Sequence, residues 1–179
     1  MCSSDLVLRL AIFRQAIGTT DRTLFESSYD ALNDAAREAL GCSPADSFVW
    51  LTLFWIDVAR HGLQAENANY LRISYASGPS EAWIALWRNQ LAFTLFDRLP
   101  ADLADDAVGE FIKLVNTRQL YWQTGKIFEN ASPDGQHRIT EHLKTADDVA
   151  REAFLIALHR EGVDVAVPGQ LPSEPRPWR

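Results

Sequence analysis

Apolar side chains recur along most of this chain every three or four residues, which is the spacing of one face of an α-helix. No stretch alternates apolar and polar residues for long enough to predict a β-strand. We therefore predict an all-α protein of antiparallel helix hairpins. The predicted helices span residues 7–17, 23–40, 45–60, 65–77, 80–98, 101–116, 118–129, 134–144 and 146–161.

Helix start and stop signals set these boundaries. Ser43 is predicted as an N-cap, with Pro44 at the first helical position and Asp46 in the first turn. Gly62 and Gly162 are typical of helix C-termini. Similar start signals recur at three later points, Gly78-Pro79-Ser80-Glu81, Pro100-Ala101-Asp102 and Ser132-Pro133-Asp134.

The length of 179 residues suits one domain that buries about 70% of the surface of its unfolded chain. We predict a single helical-repeat domain over residues 7–162. The last seventeen residues contain four prolines, so residues 163–179 are predicted to form an extended or disordered tail.

Residues 1–6 are predicted to be a non-native leader. A common sequencing-adapter string, TGCTCTTCCGATCT, translates as Cys-Ser-Ser-Asp-Leu, which is the sequence of residues 2–6. A segment that was never selected with the fold is expected to make no contact with the core. If Cys2 is an adapter residue, Cys42 is left alone and the sequence predicts no disulfide framework.

A repeat is visible in the spacing of two prolines. Pro44 and Pro79 are 35 positions apart, close to the period of about 34 residues of tetratricopeptide repeats. Small Ala39 and Ser74 precede the two prolines at equivalent places, and an aromatic-led helix follows each proline. The chain therefore resembles a tetratricopeptide repeat protein over roughly residues 23–98. We expect segments 29–61 and 64–97 to superpose as consecutive hairpins.

A narrower resemblance covers the stretch from Tyr70 to Val115 and also the VAVPG sequence near the end of the chain, and thus most of the chain. It is similar to a family of small helical-repeat proteins from Alphaproteobacteria that is associated with exopolysaccharide or O-antigen synthesis loci. Trp87 departs from the family pattern, where Lys or Arg is expected. The resemblance implies a polysaccharide-assembly setting and supplies no catalytic residues. The matching positions are Tyr70, Leu71, Arg72, Ser74, Tyr75, Gly78, Pro79, Glu81, Trp83, Arg88, Asn89, Leu99 and Pro100.

Charge and hydropathy exclude two classes of partner. The formal net charge of −7 argues against nucleic acid or an anionic membrane surface, because both are bound through basic faces. The most apolar run, Phe48–Ile56, is about half the length that a membrane span needs. We therefore predict a protein partner, no nucleic acid and no membrane span.

Candidate catalytic and metal-binding groups are sparse. His137 and Glu141 are one helical turn apart, but His142 is displaced around the helix and no zinc-binding motif is formed. The sequence has no Gly-rich phosphate loop and no ordered Ser, His and Asp set. We predict a noncatalytic protein without a metal or cofactor.

The sequence WIALWRNQLAF places two polar side chains on the apolar side of its helix. With Trp83 at 0° on the helical wheel, Arg88 falls at about 140° and Asn89 at about 240°, among Leu, Ile, Ala and Phe side chains. A buried guanidinium requires a partner, so we predict that Arg88 is bonded to a carboxylate, Asp57 or Glu110, or to the carbonyl oxygens at a helix end. Asn89 is expected to bond the backbone of the neighbouring hairpin.

Trp83 and Trp87 share a side of this helix with Gln90 and Thr94, so at least one of the two indoles is expected to be exposed. Trp50, Phe54, Phe93 and Phe96 are predicted to lie in the core. The candidate binding residues are Tyr70, Arg72, Trp83, Trp87, Arg88 and Asn89. We predict a protein-interaction adaptor, and the alternative is a sugar-binding accessory protein or an enzyme that uses Trp83, Trp87 and Arg88.

Overall fold

The computed structural model describes residues 4–167 and confirms the all-α class. Within that range it has no β-strand, and short 3₁₀ helices cover Phe96–Arg98 and Leu143–Thr145. No helix in the described range is both long and apolar enough to cross a membrane. The α-helices are α1 Ser4–Ile17, α2 Arg22–Cys42, α3 Ser47–His61, α4 Ala65–Ser77, α5 Ala82–Thr94, α6 Ala101–Asn116, α7 Tyr121–Asn130, α8 Pro133–His142 and α9 Asp148–Arg160.

The largest boundary correction is the end of α5, which stops at Thr94, four residues before the predicted end at 98. The starts of α1 and α7 each differ by three residues, and the starts of α3 and α5 by two. Asp46, and not Ser43, is the N-cap of α3, because its carboxylate accepts hydrogen bonds from the Phe48 and Val49 amides. Helix α5 begins at Ala82, two residues later than predicted. Ser132 is the N-cap of α8 as predicted, and its hydroxyl accepts a hydrogen bond from the Gly135 amide.

The chain divides between Ile84 and Ala85 into two compact units. The predicted domain of residues 7–162 therefore comprises two units, and its unity stays a prediction. The superposition of segments 29–61 and 64–97 also stays a prediction.

Helix α1 corrects the expectation for the leader. It begins at Ser4, and Leu6 is buried, so the prediction that residues 2–6 make no core contact is wrong at Leu6. Asp5 is exposed, and its carboxylate pairs with Arg9 one turn further along the same helix. Residues 1–3 lie outside the described range, and the non-native origin of the leader stays a prediction.

Two further expectations concern Cys42 and the tail. Cys42 is disulfide-bonded, so the prediction that it stands alone is wrong. Residues 163–167 follow α9 without regular secondary structure. The rest of the predicted tail, residues 168–179, lies outside the described residues.

In the first unit, α3 and α4 pack through a seam of small residues. The Ser47 hydroxyl donates to the Ser74 carbonyl oxygen at 2.9 Å, and the Ser74 hydroxyl donates to the Ser47 carbonyl oxygen at 2.8 Å. Gly78 lies against the same place, because a Cβ atom built on it would be 2.6 Å from the Ser47 Cβ. Larger side chains at these positions would separate the two helices.

The second unit is built around interlocking phenylalanines from several helices. Phe93 stacks on Phe96 with ring centroids 5.0 Å apart. The Phe111 ring meets Phe93 and Phe154 edge-on at 5.8 and 5.7 Å. Phe93 and Phe96 are core residues as predicted. In the first unit the same prediction is confirmed for Phe54, whereas Trp50 is only half-buried.

We expect Gly78→Ala to lower the free energy of unfolding by about 1–3 kcal/mol, because the added methyl group overlaps Ser47 in a seam without spare room. Chemical denaturation monitored by circular dichroism measures this change. Gly109→Ala in α6 is the control, because no atom lies within 4 Å of its added Cβ and alanine favours a helix. Equal stability of the two variants would contradict the tight seam.

Candidate functional site

Arg88, Asn89 and Glu110 form a buried polar cluster in the second unit. Arg88 and Asn89 have no exposed surface, and Glu110 is 6% exposed. The Arg88 guanidinium donates from Nη2 to Glu110 Oε1 at 2.5 Å and from Nε to both carboxylate oxygens at 3.1 and 3.2 Å. The prediction of a buried, carboxylate-bonded Arg88 is therefore confirmed, with Glu110 as the partner.

Asn89 differs from its prediction. Its amide nitrogen donates to the Ala85 carbonyl oxygen of its own helix at 3.0 Å and to the Glu110 side chain, Oε2, at 2.8 Å. The predicted bond to the backbone of the neighbouring hairpin is therefore wrong. Both partners are acceptors, which fixes the orientation of the amide. Its Oδ1 atom is buried and accepts no hydrogen bond from the described residues.

The charge balance of the cluster is set by burial. Burial raises the pKa of Glu110 above its ordinary value, and the Arg88 guanidinium and the Asn89 amide oppose that rise. Arg88 needs the ionised carboxylate, because a guanidinium keeps its charge in a protein interior. The cluster therefore joins α5 to α6 as a clamp, and in this conformation Arg88 and Asn89 present no surface to a ligand.

Trp83 is the exposed member of the predicted residues. Its side chain is 52% exposed, and its ring lies against Phe48 of α3 with centroids 5.0 Å apart. The expectation that at least one indole of this helix is exposed is confirmed. Glu81 is also exposed and lies two residues before Trp83. We call Trp83, Phe48 and Glu81 the Trp83 surface.

The other candidate residues are engaged elsewhere. Tyr70 is half-buried against Trp50, with ring centroids 5.8 Å apart, and the Trp50 indole donates to the Pro44 carbonyl oxygen at 2.8 Å. Arg72 donates to Asn69 Oδ1 at 2.9 Å on its own helix. Trp87 is half-buried. The structure thus brings Arg88 and Asn89 together and gives Tyr70 and Trp83 different aromatic neighbours.

Sequence reasoning missed a polar network between α2 and α3. The Tyr29 hydroxyl donates to Asp57 at 3.0 Å, and the Asp57 carboxylate also contacts His61 at 2.9 Å. Burial and the Asp57 carboxylate raise the pKa of Tyr29. Arg60 lies over the Tyr29 ring at 4.2 Å and pairs with Glu26 and Asp30. Apart from Asp57 and His61, which are one helical turn apart, these partners lie about thirty positions apart, so no local pattern could have identified them.

Trp122 was also missed. At 66% exposed, it is more accessible than Trp83. The signal was present in the sequence, because Trp122 shares a helix face with Lys126 and Glu129, both of which are polar. A helical wheel of α7 would have placed the indole on the solvent side.

No metal centre accompanies these features within residues 4–167, where no group of three or more His, Cys, Asp or Glu side chains could hold a metal ion. The chain matches no family model, no curated protein and no solved structure.

We expect Arg88→Met to lower the free energy of unfolding by about 3–5 kcal/mol at neutral pH, because it leaves a buried carboxylate without its cation. Without Arg88, burial raises the Glu110 pKa further, so the native state binds a proton more readily than the unfolded chain. Stability of this variant should therefore fall as pH rises from the ordinary Glu value through the raised pKa. Denaturation at several pH values measures the trend.

Glu110→Gln is the matched variant for this clamp. It leaves Arg88 buried without a carboxylate, and a guanidinium cannot relieve the loss by releasing its proton. As pH falls through the raised pKa of Glu110, the stability deficit of Arg88→Met should therefore shrink, whereas that of Glu110→Gln should not. Parallel pH profiles for the two variants would contradict the clamp.

Proposed function

We propose that this chain is a noncatalytic protein-interaction adaptor that binds a partner protein through the Trp83 surface. The observation that carries the proposal is the half-exposed indole of Trp83 held against Phe48. A large aromatic side chain fixed by a neighbour loses little entropy when a partner covers it, so such residues serve as anchors in protein interfaces.

The charge around this surface favours a basic or neutral partner. Glu81, two residues before Trp83 in the sequence, is exposed, and the whole chain has a formal net charge of −7. Complementary charge speeds association and selects against acidic partners. We therefore propose a partner segment with an apolar anchor flanked by Lys or Arg.

A sugar-binding accessory protein is the second candidate, because an exposed indole is also a platform for a sugar ring. The sequence offered Trp83, Trp87 and Arg88 for this function. Only Trp83 would carry it, because Trp87 is half-buried and Arg88 is fully buried against Glu110. The Arg88 geometry supports a structural role and gives no support to an enzyme.

The proposed setting is the assembly of a bacterial surface polysaccharide. It is supported by the residue pattern from Tyr70 to Pro100 that resembles the family associated with exopolysaccharide and O-antigen loci. The partner would then be another protein of that assembly machinery.

We expect peptides selected from a random 12-residue display library on the full chain to need Trp83. Trp83→Ser should weaken their binding by about tenfold or more, because an interface anchor contributes about 2 kcal/mol. Isothermal titration calorimetry with the selected synthetic peptides measures the change. Trp122→Ser is the matched control, because it removes an equally large exposed indole from the second unit.

The selected peptides should also carry an apolar residue next to Lys or Arg. Equal losses for Trp83→Ser and Trp122→Ser would overturn the proposed surface, as would a selection that yields no binding peptide. Trp83-dependent binding of a neutral oligosaccharide, with no peptide bound, would favour the second candidate.

A further inference from the structure

The residues after α9 form a strap across the core of the second unit. We call residues 163–167 the strap. Val163 and Val165 are half-buried and Val167 is 7% exposed, while Asp164 and Ala166 between them are exposed. The three valines pack against the core cluster that contains Phe111, Phe128 and Phe154. This alternation is that of an extended segment with one face buried.

Side chains, more than backbone, hold the strap in place. Within residues 4–167, the strap makes one backbone hydrogen bond. It joins the Val163 amide to the Leu158 carbonyl oxygen of α9 at 3.0 Å. Asp164 pairs with His159 at 2.6 Å, but both side chains are mostly exposed, and such pairs add little stability. The strap leaves α9 through Gly162, whose positive φ of 85° turns the chain sharply.

We propose that the core surface beneath the strap is a peptide-binding site, and that the chain's own strap occupies it as an internal ligand. The ligand class is an extended segment with β-branched apolar residues at alternate positions. The strap itself is the observation that defines this chemistry, because it shows that three valines spaced two residues apart fit the surface. This site lies in the second unit and is independent of the Trp83 surface.

The tether makes the site autoinhibited. A segment joined directly to α9 has an effective concentration in the millimolar range at its own site, so a free peptide must compete with it. Weakening the strap should therefore make the same site available to a peptide of the same pattern. A partner would displace the strap by supplying more contacts than three valines provide.

The test uses the full chain and a synthetic peptide of residues 161–170, EGVDVAVPGQ, titrated by NMR. Val167→Ser removes the apolar contact of the most buried strap residue, so the peptide should bind this variant about tenfold more tightly than the unchanged chain. Ala166→Ser is the matched control, because it places the same serine on the exposed side of the strap. It should bind like the unchanged chain.

A second peptide with serine at all three valine positions should bind neither variant. Equal binding by Val167→Ser and Ala166→Ser, equal binding of the two peptides, or no saturable binding of the valine peptide at millimolar concentration would each overturn the proposal. If circular dichroism shows that Val167→Ser loses helix, the half-buried Val165→Ser takes its place, with an expected gain of about threefold.

Discussion

A guanidinium with no exposed surface dictates the organisation of the second unit. Arg88 can be buried only where a carboxylate meets it, and Glu110 supplies that carboxylate from α6. The pair therefore fixes which faces of α5 and α6 meet and in which register, a choice that apolar packing alone leaves open. Phe93 of α5 and Phe111 of α6 contact each other in that same register. The aromatic core and the ion pair thus specify one arrangement together.

The proposed function rests on an exposed side chain and not on this buried clamp. The clamp buries Arg88, the charged residue that the sequence offered for ligand recognition. Among the described residues, the exposed rings of Trp83 and Trp122 then remain as candidates for contact with a partner. Trp83 is supported by Phe48, whereas Trp122 lies on a face shared with Lys126 and Glu129. A ring held against a neighbour is already restricted in orientation, which lowers the entropy that it loses when a partner binds.

The sequence was sufficient for the helices and for the fate of Arg88, because both follow from periodicity within one segment. The helical wheel placed Arg88 among apolar residues, and a buried guanidinium needs a carboxylate because an unpaired buried charge is costly. The prediction for Asn89 was wrong because its partner depends on where Glu110 lies in the tertiary structure, which the local sequence does not specify. The start of α3 was misplaced because Ser43 and Asp46 are both good N-caps. The network around Tyr29 joins residues about thirty positions apart and leaves no local signature.

The seam between α3 and α4 constrains how the first unit can move. Ser47 and Ser74 exchange hydroxyl-to-carbonyl hydrogen bonds, and Gly78 leaves no clearance beside them. Sliding one helix past the other would break both hydrogen bonds and push Gly78 into Ser47, so the seam opposes shear between α3 and α4. We therefore expect the two helices to move together as one rigid body. Movement within the first unit would therefore have to occur at places other than this seam.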